Sequence, residues 1–169
     1  MPLSVIPIGG YSKIEGNSVA IKVDNEVVIL DMVLSMENYI KYQDAETKKN
    51  DGRQRRLFYD ELLKADAVPD YYSIKKDLKN VKAVIPSHAH LDHVGAVPFG
   101  MKFFKNVPVI ATPYTIAFIK QDLKNQRYDR TFVKNGIDLI EVGLNTSYQV
   151  TDNITVEFIN VTHSVPDSA

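Results

Sequence analysis

Short apolar runs rich in β-branched residues open the chain at Leu3–Gly9, Asn17–Val23 and Val27–Asp31, with turn-forming breaks at Gly9-Gly10, Glu15-Gly16-Asn17 and Asp24-Asn25. This spacing predicts three consecutive strands folded as an antiparallel meander. The third run, Val27-Val28-Ile29-Leu30, has no polar face and reads as a strand buried on both sides, ending in the carboxylate of Asp31. From about Met36 to Asp66 the pattern turns charged and polar, which predicts a surface excursion with a helix around Leu57–Lys64. A helical stretch near Tyr71–Lys79 and a strand at Lys82–Pro86 follow, then a helix from about Asp92 and a strand at Val107–Ala111. Pro113 suits the first turn of a helix running over Thr115–Lys124. The remainder, Ile137–Val142, Ser147–Val150 and Ile154–Val161, reads as strands. A β-β-β start, alternating α and β, then strands again predicts an α+β or mixed layered domain in which helices cover a sheet.

Composition narrows the class. The 169 residues are one domain's worth of chain, and 44% hydrophobic with 24% charged residues fits a packed globular domain rather than a disordered one. Lys and Arg number 20 against 21 Asp and Glu, a net charge of -1, so no global basic field draws in nucleic acid. Any RNA or DNA binding would rest on a local patch or on segments beyond this sequence. There is no cysteine, which excludes disulfides, thiolate zinc fingers, iron–sulfur clusters and cysteine nucleophiles and leaves His, Asp and Glu as metal ligands. Met1–Gly10 has no signal-peptide pattern and no apolar run reaches about 18 residues, so the expectation is a cytoplasmic protein without a membrane anchor.

The four histidines carry the candidate chemistry. His88, His90 and His93 lie within six residues as His-x-His-x-Asp-His, directly after a predicted buried strand, and His163 ends another. In an extended segment residues i and i+2 point to one side, so His88 and His90 can converge, while Asp92 and His93 sit where the chain turns into a helix and can face a second point. Imidazole and carboxylate suit zinc or a similar divalent ion at about 2.0–2.2 Å. Ordinary surface or core histidines are the alternative, but four ionisable groups this close repel or desolvate one another unless a cation holds them. His163 alone is as readily structural as functional; the missing third ligand for His88 and His90 makes it a candidate.

These motifs also resemble a known family. "SHAHLDHVGAVP" is similar to the second motif of the metallo-β-lactamase fold, and its continuation resembles the β-CASP branch of nucleases. "PIGGYSKIEGNSVAIKVDNEVVILD" and "FINVTHSVPDS" resemble the opening and third motif of the ribonuclease J group within that branch. The resemblance spans nearly the whole chain except Asn38–Lys64, read as a charged surface insertion. It implies an αββα sandwich of which residues 1–169 form the N-terminal part. The bridging Asp, the last His ligand, the inserted β-CASP domain and the pocket for an RNA 5′ end would all lie beyond Ala169.

Carried over, the resemblance assigns His88, His90 and His163 to a first metal, Asp92 and His93 to a second, and Asp31 to a supporting position that orients the His-rich loop. Two ions about 3.5–4 Å apart hydrolyse phosphodiesters with an activated water, for which Asp92 is the candidate proton acceptor. The implied activity is exo- or endonucleolytic hydrolysis of single-stranded RNA with two divalent ions, zinc or alternatively manganese. In this segment the first site is the more complete, so the stretch alone is expected to be nearly inactive. A small-molecule ester or thioester hydrolase, and a non-enzymatic metal-binding half-domain that complements another chain, are the competing readings. An inner apolar face including Val28, Leu30, Ile85 and Ile159 is expected to lack part of its cover and to call for a companion chain or self-association.

Three other features have two readings each. Lys48, Lys49, Arg53, Arg55 and Arg56 could contact an RNA backbone or form a solvated, charge-balanced loop. Tyr71 and Tyr72 could stack on bases or simply pack. Gly9-Gly10 lacks the spacing and following helix of a phosphate loop and reads as a tight turn.

Overall fold

The computed structural model describes residues 2–9, 17–124 and 136–169. The turns expected at Gly10 and at Glu15-Gly16 fall outside these residues. Strands β1 (Leu3–Gly9), β2 (Ser18–Val23) and β3 (Glu26–Leu30) form the antiparallel meander that their pattern predicts. Beyond β3 the sheet continues with β4 (Val81–Ile85), β5 (Val109–Ala111) and β6 (Leu139–Glu141), each parallel to its neighbour. Among the described residues the order is β1-β2-β3-β4-β5-β6, with β7 (Ser147–Gln149) and β8 (Thr155–Glu157) as a separate antiparallel pair. Parallel pairing requires crossovers, and these bring the ends of β3, β4 and β5 to one edge of the layer.

The helices lie on one face of the sheet. Their core includes Ile29, Met32, Leu62, Tyr71, Val84, Val97, Val109, Ile116 and Ile119, all nearly solvent-free. The opposite face carries Val28, Ala83, Ile85 and Ile110, and the β7–β8 pair folds back onto it through Phe158, Tyr148 and Val156. Two sheets packed face to face with helices outside one of them make three of the four layers of an αββα sandwich. The bare inner face expected from the sequence is therefore mostly closed: Val28 and Ile85 are buried and Leu30 is half-buried, because the hairpin reaches back over them. Ile159 stays 61% exposed and Val161 49%.

The charged stretch after Ser35 departs from expectation. Met36–Lys49 is a 14-residue helix, α1, capped by the Ser35 hydroxyl, which accepts from the Asn38 N–H. Met36, Tyr39 and Tyr42 repeat every three residues and pack against the core, an apolar stripe masked in the sequence by the charges on the other faces. Helix α2 covers Tyr59–Lys64, within the helix expected there. The Arg55 guanidinium lies between Glu46 of α1 and Glu61 of α2 and ties the two helices together. The stretch expected to be helical near Tyr71–Lys79 instead forms two single turns, Tyr71–Ile74 and Leu78–Asn80. Tyr71 is fully buried, whereas Tyr72 is exposed and donates from its hydroxyl to Asp60 at 2.7 Å.

The segment leaving β3 holds the histidine loop by its backbone. Met32 N–H donates to His93 O (2.7 Å), Leu34 N–H to Leu91 O (3.1 Å), and Ala96 N–H to Met32 O (2.8 Å). The helix expected from Asp92 is broken into two single turns, α3 (Leu91–Val94) and α4 (Val97–Gly100), since Pro98 lies at the start of the second. Between them, Gly95 is packed so closely that a Cβ would stand 2.6 Å from Leu34 Cβ and 2.5 Å from the Leu91 carbonyl. Gly95→Ala is expected to destabilise the protein by about 1–3 kcal/mol through overpacking, read as a lower urea midpoint in equilibrium unfolding; an unchanged midpoint would show that this junction is loosely packed.

Candidate metal centre

Strand β4 delivers Pro86-Ser87-His88 to the edge of the sheet, and His90 is the residue before α3. His163 arrives from the loop that follows β8. Its Nε2 lies 3.1 Å from His88 Nε2 and 3.1 Å from His90 Nδ1, and those two atoms are themselves 3.1 Å apart. The three nitrogens form a near-equilateral triangle, although His88 and His163 are 75 residues apart in sequence.

Neighbouring hydrogen bonds fix where the ring protons go. Asp31 accepts from the Ser87 N–H (2.8 Å) and from the Ser87 hydroxyl (3.0 Å). With its proton directed to Asp31, the Ser87 oxygen accepts from His88 Nδ1 at 3.0 Å, which leaves the His88 Nε2 lone pair facing the triangle. His90 Nε2 lies 3.2 Å from the Ser164 hydroxyl and can donate there, which leaves Nδ1 as its inward lone pair. His88 Nε2 and His90 Nδ1 thus face each other as lone pairs and cannot satisfy one another by hydrogen bonding, with His163 Nε2 beside both. A cation fits them: tetrahedral zinc at about 2.0–2.1 Å from each nitrogen places ligand atoms about 3.3 Å apart, close to the spacing seen.

His88 is 7% exposed, and its imidazole is pushed down to about 4, first by burial and then by the neighbouring His93, His163 and His90 rings. It is thus held neutral, the form that ligates a metal. His93 moves the other way. Burial works against its protonation, but the hydrogen bond from its Nδ1 to Asp31 (2.8 Å) and the charges of Asp31 and Asp92 outweigh that and raise it. Because a carboxylate only accepts, the His93 proton sits on Nδ1, and Nε2 points toward Asp92 Oδ2 at 3.7 Å. Asp92 and His93 thus face one space, beside the first group, with the His93 ring centroid 3.9 Å from that of His88.

Asp31 has a left-handed backbone, φ 57°, which Asp tolerates better than most residues. Its own N–H donates to Ile85 O (3.2 Å) and its carbonyl accepts from Ser18 (2.9 Å), so the carboxylate at the end of β3 is fixed against the loop after β4. The loop bearing His163 is fastened separately. Thr112 donates to the Asp167 carbonyl (2.8 Å), and the Tyr114 N–H, in the first turn of α5 (Pro113–Leu123), donates to the Asp167 carboxylate (3.3 Å). Val161 N–H donates to Ser168 O and Ala169 N–H to Ser87 O, which closes the loop on the histidine segment. Ser87, Ser164, Thr112 and Asp167 were not singled out in the sequence. Ser87 and Ser164 each sit beside a motif histidine and Asp167 lies inside the FINVTHSVPDS motif, but nothing local signals Thr112. Of the basic residues considered for RNA contact, Arg55 is engaged with Glu46 and Glu61, and Lys49 with Glu46.

Residues 13–161 match the family model described as the metallo-beta-lactamase superfamily. The chain belongs to that superfamily. It is 38% identical over 169 residues to a protein named Ribonuclease J from Methanocaldococcus jannaschii, covering 99% of this chain and 35% of the relative. A protein of the same name from Pyrococcus abyssi is 34% identical over 167 residues, covering 99% of this chain and 34% of the relative. The chain thus spans about a third of the length of these relatives. A crystal structure of a protein of unknown function from Enterococcus faecalis V583 has the same fold, with a TM-score of 0.67 at 17% identity over 99% of this chain and 40% of that one.

Zinc affinity, measured by competition with a chromophoric chelator, is expected to fall to the background level in His88→Ala and in His163→Ala. In Asp31→Asn it is expected to fall about 10–100-fold. Retention of full affinity by His163→Ala would remove it from the centre.

Proposed function

We propose that this chain forms the first part of the metallo-β-lactamase domain of a ribonuclease J-like enzyme that hydrolyses RNA phosphodiester bonds with divalent metal ions. The observation that carries the reading is the convergence of the His88, His90 and His163 nitrogens at 3.1 Å from one another, in a chain 34–38% identical to proteins named Ribonuclease J. We assign His88, His90 and His163 to a first ion and Asp92 and His93 to a second, zinc or manganese fitting both. When bound, such ions supply the positive charge that draws a phosphodiester and lowers the pKa of water near it.

The chain's own residues then have distinct tasks. Asp31 and Ser87 hold the protons of His88 and His93 on Nδ1, which aims each Nε2 at the site. Ser164 does the equivalent for His90 Nε2. Asp92, the more exposed partner of the Asp92–His93 pair, is placed to accept a proton from an approaching water. Three imidazoles complete the first set, whereas two residues serve the second, so this segment holds one ion more tightly than two and alone hydrolyses RNA slowly. The exposed Ile159 and Val161 extend the hairpin side of the sandwich and are suited to contact further segments or a second chain. An RNA substrate suits a cytoplasmic location; among the described residues no helix is long and apolar enough to cross a membrane.

The test uses end-labelled single-stranded RNA with this segment alone and completed by the rest of its reading frame. Cleavage by the completed protein with zinc or manganese is expected, abolished by a chelator and reduced about 100-fold or more in His88→Ala. Hydrolysis of small esters or thioesters with RNA left intact would assign a different metallo-hydrolase, and no hydrolysis with either ion would contradict an enzymatic role.

A further inference from the structure

Beside the candidate centre, and sharing His90 and Asp92 with it, lies a cleft of about 430 Å³. Its polar wall is His90 and Asp92, and the rest is apolar, including Met36, Leu91, Val165, Tyr114 and Phe118. Among the described residues no lysine or arginine lines it. We propose that this cleft is a stacking subsite for one unpaired nucleobase of the substrate, beside the phosphate held at the histidines. The proposal rests on the nucleotide-substrate reading above and adds to it where the base goes and which side chains meet it.

The size is in the range of small-molecule sites, about 300–1,000 Å³, and suits one nucleoside rather than a folded segment of chain. The chemistry of the lining selects the part of a nucleotide that enters. Among the described residues the cleft offers a phosphate no lysine or arginine, so the anionic part is directed to the histidines and the uncharged ring to the apolar lining. Tyr114 and Phe118 are one helical turn apart and so share a face of α5, where they offer two aromatic surfaces. Tyr114 is 41% exposed while its N–H is bound to Asp167, so the ring is open to a ligand although its backbone is anchored. An aromatic face in contact with water at a centre that handles nucleotides suits stacking on a base, which is tolerant of base identity.

The lining is also linked to the candidate ligands. Leu91 lies between His90 and Asp92, and Val165 is two residues after His163. The segments that would hold the ions therefore form the cleft walls, so a ring seated there lies within one nucleotide of the reacting phosphate. An aliphatic acyl group would also find this lining apolar, but it would gain nothing particular from two aromatic faces. That difference allows the two ligands to be told apart.

The test compares equilibrium binding of adenosine 5′-monophosphate and ribose 5-phosphate to the zinc-loaded protein, two ligands with the same phosphate that differ in the base. The nucleotide is expected to bind about tenfold or more tightly than the sugar phosphate. Tyr114→Ala is expected to erase that advantage and Tyr114→Phe to keep it, with ribose 5-phosphate affinity unchanged in both. Phe118→Leu, which preserves most of the packing volume, should reduce the advantage as well and serves if Tyr114→Ala folds poorly. Equal affinity for the two ligands in the wild type, or a Tyr114→Ala loss that is the same for both, would overturn the subsite. A base-dependent advantage here, with no RNA cleavage by the protein completed by the rest of its reading frame, would uphold the subsite and overturn the hydrolase reading, so the two failures are distinguishable.

Discussion

Three imidazole nitrogens lie 3.1 Å apart, two of them facing inward as lone pairs, an arrangement that a shared cation stabilises. The rest of the architecture is arranged around that triangle. Parallel pairing of β3 with β4 brings Asp31 and Ser87 to the same edge, and the return of the chain after β8 brings His163 to meet them. Each of the elements that bear these imidazoles is fixed by its own backbone bonds. Those backbone bonds help to preorganise the three rings.

Asp31 is central to that preorganisation. One carboxylate in a left-handed backbone position accepts from a backbone amide, a serine hydroxyl and a histidine. Removing any one of these partners would leave the others pointing the same way, but removing the carboxylate would free both His88, through Ser87, and His93. The opposite shifts of the two rings follow from the same arrangement. His88 is buried among other imidazoles and is driven neutral, whereas His93 bonds a carboxylate directly and is favoured in its protonated form. Neighbouring histidines in one motif are therefore pushed in opposite directions.

Much of this was legible in the sequence, and what was not has physical reasons. The meander, the Val27–Leu30 strand and the histidine motif at the end of β4 follow from local pattern, because strand periodicity and turn chemistry act over a few residues. Helix α1 was hidden because its stripe of Met36, Tyr39 and Tyr42 is thin and its other faces are crowded with charge. The closing of the inner face by β7 and β8 was missed because it depends on where a hairpin folds back in space, which no local pattern records. The bond from Thr112 to Asp167 was missed for the same reason, since it forms only when residues 55 apart meet.

Membership of the metallo-β-lactamase superfamily gives the layered frame; the candidate centre adds the chemistry that such a frame can carry. Its central claim is that the side chains of residues 88, 90 and 163 share one ion. X-ray absorption at the zinc edge of the protein loaded with one equivalent of metal tests this most directly. The account predicts a first shell of nitrogen and oxygen only, at about 2.0–2.1 Å, with outer-shell scattering from three imidazoles that drops to two in His163→Ala. A first shell with one imidazole or none, or scattering unaltered by that substitution, would contradict it.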